Sequence, residues 1–320
     1  MYSNIVRSDE YKNCLLEFIK QTYNIEAAGF TPARRGFYGE TWRLIAVDTS
    51  YFLKLDYSPH QSVYENSFPV IEHLCNHGID YISRIVKAAD GRLSTRFDGA
   101  VLGVFDWIDG ENVENDATKI PEYQMLAKIY AVPSVGVNIP REDFLGKSAD
   151  RFFIYWKAAG DRQLLLLLEK NRAKLEHRAK RLKYYSGMCR GDAAGFYITH
   201  GDDADFYITH GDAGGNLVVS GDKYYIVDWD EPILAPPERD AWVMCSRGWA
   251  RDAFHEAMRQ NGISHTLRPE RLAYYCYHYF FFYLISFLDA YKPTETVQAI
   301  EEYIDGWIED SINYADNCFQ

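Results

Sequence analysis

The sequence predicts an α+β protein in which a small, mostly antiparallel β lobe precedes a larger, mainly helical lobe. Three observations predict it. Residues 27–56 carry β-branched and aromatic runs around the turn Asp48-Thr49-Ser50, the pattern of a hairpin. After Gly110 the pattern turns helical. Short strands then return between 206 and 228, set off by glycines. The expected division is residues 1–108 for the first lobe and 109–320 for the second.

Each element follows in order. Residues 11–23 form a short amphipathic helix, and a strand ending near Ala33 leads into the glycine-bearing loop Arg34-Arg35-Gly36-Phe37-Tyr38-Gly39-Glu40. The segments ETWRLIAV and YFLKLD supply the next two strands. A helix lies somewhere within 63–77; Pro69, tolerated only in a first turn, leaves a start near Ser67 as an alternative. Strands are expected at 81–87 and 101–108, then helices at 121–132 and 150–185. The second of these helices carries eight Lys or Arg between Arg162 and Lys183, expected as a solvated basic face. Strands at 206–209, 217–219 and 224–228 precede a C-terminal set of aromatic-rich helices. Residues 274–291 hold ten aromatics in eighteen positions. Their tyrosine hydroxyls and His278 favour a buried core helix opened by Pro269 over a membrane span.

Composition narrows the function. Lys and Arg number 34 against 46 Asp and Glu, a net charge of −12, so a polynucleotide partner and an anionic membrane are both disfavoured. The six cysteines are scattered without Cys-x-x-Cys spacing, and no basic-then-apolar leader opens the chain. Reduced thiols, a cytoplasmic location and a monomer are the expectations.

The chemistry concentrates in DFYITHGDAGGNLVVSGDKYYIVDWD (205–230). An apolar strand ends at His210-Gly211-Asp212, Asn216 follows four residues later, and a hairpin leads to Ile226-Val227-Asp228. Three polar groups thus stand at the ends of apolar strands. Phosphoryl transfer needs such a set: one carboxylate to orient the attacking hydroxyl, and oxygen donors to hold Mg²⁺ against phosphates.

His-Gly-Asp-x-x-x-Asn followed by Ile-Val-Asp-Trp-Asp resembles the motifs of the aminoglycoside phosphotransferase and choline kinase superfamily, which has a bilobal protein-kinase-like fold. VDWDEPILAPPERD (227–240) is similar to the spectinomycin phosphotransferase branch. The resemblance implies an ATP-dependent, Mg²⁺-requiring transferase acting on a small molecule, with Asp212 as catalytic base and Asn216 and Asp228 as metal ligands. It makes Lys54 the lysine on the α- and β-phosphates, and a helix glutamate its partner: Glu65, or Glu72 as the fallback. Gly36 and Gly39 would cover the nucleotide. The resemblance also places an interlobe hinge near 104–110, where the main-chain groups of Asp106 and Ile108 would meet adenine.

A ten-residue unit is duplicated, GDAAGFYITH (191–200) and GDDADFYITH (201–210), giving two His-Gly-Asp sites. Only Asp212 has an asparagine four residues on; the residue four after Asp202 is Phe206. The first copy is therefore expected to be displaced. Asp230 and the acidic run 289–316, eight Asp or Glu against Lys292, are candidates to attract a cationic acceptor such as an aminocyclitol. A metabolic kinase for choline, ethanolamine, homoserine or a sugar amine shares the same motif, and a silent nucleotide-binding protein is the third reading.

Overall fold

The computed structural model describes residues 6–33, 39–58, 60–191, 205–289 and 293–318. In chain order the elements are α1 (Asp9–Tyr23), β1 (Ala27–Pro32), β2 (Glu40–Ala46), β3 (Ser50–Asp56), α2 (Gln61–Asn76), β4 (Thr95–Phe97), β5 (Ala100–Asp106), β6 (Glu111–Asn112) and α3 (Asp116–Tyr130). There follow α4 (Lys147–Ala158), α5 (Arg162–Lys170), α6 (Arg172–Arg190), β7 (Tyr207–Thr209), β8 (Leu217–Ser220), β9 (Lys223–Ile226) and β10 (Ile233–Ala235). The chain ends in α7 (Glu238–Ala241), α8 (Gly248–Gln260), α9 (Pro269–Asp289), α10 (Pro293–Glu302) and α11 (Glu309–Asn317). Contacts group these into two compact units, Met1–Pro140 with His210–Ile233, and Arg141–Thr209 with Leu234–Gln320.

The first unit is built on an antiparallel sheet of order β1-β2-β3-β5-β4, with a second sheet of order β6-β8-β9. Leu44, Leu53, Leu55, Leu102 and Val104 face a core closed by Leu15 and Ile19 of α1. On β5, Gly103 stands opposite Lys54, and a Cβ there would lie 2.6 Å from the Tyr64 hydroxyl and 2.8 Å from Phe68. Glycine at this point lets α2 press against the sheet. The turn Asp98-Gly99 between β4 and β5 has positive φ at both residues, 48° and 81°. An Asp-Gly pair is the usual sequence sign of such a hairpin, and it is the signal that would have found β4.

Buried Glu40, at the start of β2, ties α1 to the sheet. One oxygen accepts Arg7 Nε and Nη2 at 2.8 and 2.6 Å, and the other accepts the Tyr11 hydroxyl at 3.1 Å and Trp42 Nε1 at 2.5 Å. A fully bonded carboxylate tolerates burial; its donors left without it do not. Glu40→Ala is expected to destabilise the protein by about 3–5 kcal/mol, measured by urea unfolding, with Glu40→Gln well short of that. Equal losses for the two would assign the effect to packing instead of charge.

Two expected helices have different bounds. Helix α2 starts at Gln61 and carries Pro69 in its interior, so the alternative start near Ser67 is not the one taken. The expected helix 150–185 is three: Asp161 caps α5 by accepting the Leu164 N–H at 2.8 Å, and Asn171 separates α5 from α6.

In the second unit α9 packs against α4, α6 and α11. Its Tyr274, Tyr275 and Tyr277 are each no more than 1% exposed, so they fill the core. Trp242 stacks on Tyr279 with centroids 4.9 Å apart. Among the described residues no helix is long and apolar enough to cross a membrane.

Among the described residues, part of the acidic C-terminal run is paired. Glu309 pairs with Arg178 at 2.7 Å, Glu301 with Lys170 at 3.1 Å, and Asp316 lies 3.7 Å from Arg181. Three basic residues of the 162–183 stretch supply these partners, so the charge left to attract a cationic acceptor is reduced at these three positions.

Candidate active site

The site assembles where β3 meets the two loops flanking the β8–β9 hairpin. Lys54, 6% exposed, is held on β3 between Thr41 and Gly103, with the Tyr64 ring 5.3 Å from its ammonium. The ammonium donates to Asp228 Oδ1 at 2.8 Å and also to Asp230 Oδ2. Burial alone would lower the Lys54 pKa, but the two carboxylates outweigh it and raise it above the ordinary lysine value. Desolvation pushes Asp228 upward, and the charge and hydrogen bond of Lys54 reverse this, leaving it below the usual carboxylate range. Asp230 goes the other way: burial and the neighbouring Asp228 charge push it up to about 7 against the pull of Lys54.

Asp228 stands at φ 65°, a left-handed conformation rare outside glycine but accessible to Asp. Its neighbours fix that backbone. Trp229 is buried and donates its Nε1 hydrogen to Ile226 O at 3.0 Å, and Val227 N donates to Asn216 O at 2.9 Å. His210 joins this loop to the loop carrying Asp212. Its Nδ1 accepts the Asp212 N–H at 3.1 Å, so the ring hydrogen sits on Nε2 and is donated to Val227 O at 2.9 Å.

Asp212 and Asn216 are brought together by the short 3₁₀ turn Ala213–Gly215 between them. Asn216 Nδ2 donates to the Asp212 carbonyl at 2.7 Å, which leaves its amide oxygen available as a donor to a cation. Lys119 Nζ donates to Gly214 O at 3.1 Å and Asn112 Nδ2 to Gly215 O at 2.7 Å. These two residues brace the turn and were not singled out in the sequence, since a lone Lys or Asn carries no pattern of its own.

The remaining expectations divide. Glu65 does not meet Lys54: it accepts Arg96 at 2.6 Å and Ser94 at 3.0 Å. Glu72 pairs with Lys87 at 2.6 Å. Asp230, expected toward the acceptor, takes the place of the lysine's second carboxylate. Residue spacing alone did not reveal this, because Asp228 and Asp230 are close in sequence and Glu65 lies on the adjacent helix.

The Asp106 main-chain N–H is used within the protein, donating to Arg84 O at 2.9 Å, and its carbonyl accepts Ser83 Oγ at 2.8 Å. Only the carbonyl's second lone pair remains for a ligand there. The main chain of Ile108 makes no hydrogen bond among the described residues. Gly39 has φ 80°, and a Cβ there would lie 2.5 Å from Leu55 O. Its glycine is thus required by the sheet itself. Gly36 and the first copy of the repeat, including Asp202, lie outside the described residues.

Among the described residues no three His, Cys, Asp or Glu side chains converge as a metal site. The donor set of Asn216 amide and Asp228 carboxylate oxygens nevertheless fits Mg²⁺, which binds through one or two carboxylates and takes its other ligands from water and phosphates.

The profile of the phosphotransferase enzyme family matches residues 29–275, and the chain belongs to that family. No curated relative matches it. Spectinomycin phosphotransferase APH(9)-Ia, solved with ADP and spectinomycin, superposes with a TM-score of 0.72 at 17% identity over 96% of this chain and 98% of that one. Macrolide 2′-phosphotransferase type I gives 0.61 at 13% identity, covering 94% and 99%. Choline kinase LicA from Streptococcus pneumoniae gives 0.60 at 13%, covering 97% and 98%. The fold is the protein-kinase-like fold of these phosphotransferases.

Proposed function

We propose that the chain transfers the γ-phosphoryl group of ATP to a hydroxyl of a small molecule, with Asp212 receiving the hydroxyl proton. The observation that carries this is the convergence of Lys54, Asp228 and Asp230, joined through His210 and Val227 to Asp212 and Asn216. In-line transfer asks little covalent chemistry of a protein. It asks for a cation on the phosphates, oxygen donors for a metal, and a carboxylate beside the acceptor oxygen. Lys54 supplies the cation, and Asn216 and Asp228 would hold Mg²⁺, which when bound neutralises the charge on the phosphate oxygens. The acceptor O–H bond breaks as its oxygen bonds to phosphorus, ADP leaves, and Asp212 takes the proton.

The nucleotide-binding lobe is residues 1–108, with a hinge at 104–110 in which the Ile108 N–H and the free lone pair of the Asp106 carbonyl meet adenine. The 109–320 portion supplies catalysis and acceptor binding. The acceptor class favoured is an aminocyclitol of the spectinomycin kind, supported by the 227–240 stretch and by the fold neighbour solved with that antibiotic. Pairing of Glu301 and Glu309 with α5 and α6 weakens one ground for a multiply charged acceptor, and it keeps a metabolic kinase of choline-like or amino-alcohol substrates as the second reading.

An ADP-release assay with Mg·ATP against spectinomycin, kanamycin, choline and homoserine separates them, with mass spectrometry locating the added phosphate. A phosphorylated aminocyclitol formed at micromolar KM is the expected result. Phosphorylation of choline or homoserine alone would transfer the assignment to metabolism. Tight Mg·ATP binding without transfer to any acceptor would leave a silent nucleotide-binding protein.

A further inference from the structure

The repeat supplies the sequence of strand β7 twice. Phe-Tyr-Ile-Thr-His-Gly-Asp occurs at 196–202 and again at 206–212. The second copy occupies the strand: Tyr207–Thr209 forms β7 beside β10, and Arg239 Nη1 donates to the Thr209 carbonyl and hydroxyl at 3.1 and 3.0 Å. His210 Nε2 reaches Val227 O. Thr199 and His200 of the first copy carry the same atoms, so none of these bonds can tell one copy from the other.

Asp205 can. The two ten-residue units differ at only two positions, Ala193 against Asp203 and Gly195 against Asp205. The Asp205 carboxylate meets three basic side chains: Arg268 Nη2 at 3.1 Å, His265 Nδ1 at 3.6 Å and Arg271 Nη1 at 3.8 Å. His265 and Arg271 are buried, and the other ring nitrogen of His265 faces buried Glu238 at 3.0 Å. Arg271 Nη1 is buried without a hydrogen-bond partner, which makes the nearby Asp205 charge its compensation. A glycine in this place would leave the two arginines without that counter-charge.

We propose that Asp205 is a positioning residue that selects the register of the repeat, and with it which aspartate stands at the reaction centre. The functional consequence rests on the phosphotransferase reading above; the register itself does not. A ten-residue slip puts Gly195 where Asp205 stands and Asp202 where Asp212 stands. It also moves residues 203–212 into the stretch between the catalytic aspartate and Ala213. The turn that bonds Asn216 to its aspartate is then interrupted, and Phe206, four residues after Asp202, has no oxygen to offer in its stead.

Two substitutions test this together. Asp205→Gly removes the counter-charge from the second copy, and Gly195→Asp gives it to the first. Hydrogen exchange followed by mass spectrometry distinguishes the copies, because peptides GFYITH and DFYITH differ in mass. In the double variant, slow exchange is expected to move from residues 207–209 to 197–199, and phosphotransfer to fall at least about tenfold as the register population shifts. Deleting residues 192–201 from Asp205→Gly removes the competitor and is expected to restore transfer.

Slow exchange that stays on 207–209 in the double variant overturns the proposal. So does an activity loss in Asp205→Gly that the deletion fails to restore, because a merely structural aspartate would be missed equally in both chains. If no acceptor is ever phosphorylated, the exchange result alone still decides the register, and only the phosphotransferase reading falls.

Discussion

Asp212→Asn is expected to lower kcat by roughly 10²–10⁴-fold, the range for loss of a positioned general base, with the KM for ATP changed by less than about threefold. The structure makes this substitution a clean one. The Asp212 backbone is held by its own N–H to His210 and its carbonyl to Asn216, so neither bond depends on the carboxylate. The side chain is exposed, and asparagine has the same shape. On the proposed mechanism, what disappears is the capacity to take a proton from the acceptor. Steady-state ADP release at saturating acceptor measures kcat, and nucleotide titration gives the KM. Asp202→Asn is the control and is expected to leave both unaltered. The reverse pattern, loss at Asp202 and none at Asp212, would move the catalytic carboxylate into the first copy of the repeat.

Much of this arrangement was legible in the residues because strand ends and glycine turns are local. Lys54 within FLKLD, the His-Gly-Asp-x-x-x-Asn spacing and the hairpin before Asp228 all depend on a few neighbouring residues. The structure accordingly has β3, the 3₁₀ turn and β8–β9 near the expected positions. What escaped the sequence was pairing across distance. The expected partners of Lys54 are Glu65 or Glu72, and only the folded chain shows that these serve Arg96 and Lys87 while Asp230, expected toward the acceptor, meets the lysine. The charged helices show the same dependence on distance. A basic stripe on 162–183 and an acidic one on 289–316 each read as a surface feature when taken singly, and the folded chain pairs three residues of one with three of the other. At Pro69 the local rule left the start of the helix open, and α2 resolves it by accommodating the proline in its interior.

The partner of Lys54 can be settled by comparing three substitutions. Lys54→Met is expected to reduce kcat/KM for ATP by roughly 10²–10³-fold, the scale for losing one preorganised group that stabilises developing charge. It also leaves Asp228 and Asp230 side by side without their shared cation, so their mutual repulsion opposes approach of the triphosphate. Asp230→Asn keeps the shape but removes one of the two charges holding the ammonium, and a loss of about tenfold is expected. Glu65→Gln should change nucleotide kinetics by less than about twofold, because its pair with Arg96 is exposed, and such pairs contribute only about 0–1 kcal/mol. The three values discriminate between two mechanisms. If Glu65→Gln is as damaging as Asp230→Asn, Lys54 must exchange partners when nucleotide arrives, and its contact with Asp230 is a resting latch. If Glu65→Gln is silent while Asp230→Asn and Lys54→Met fall together in a double-mutant cycle, the second carboxylate after Val227-Asp228-Trp229 does here the work of a helix glutamate. The lysine would then be oriented by the same loop that is proposed to hold the metal, so that phosphate binding and metal binding share one rigid support.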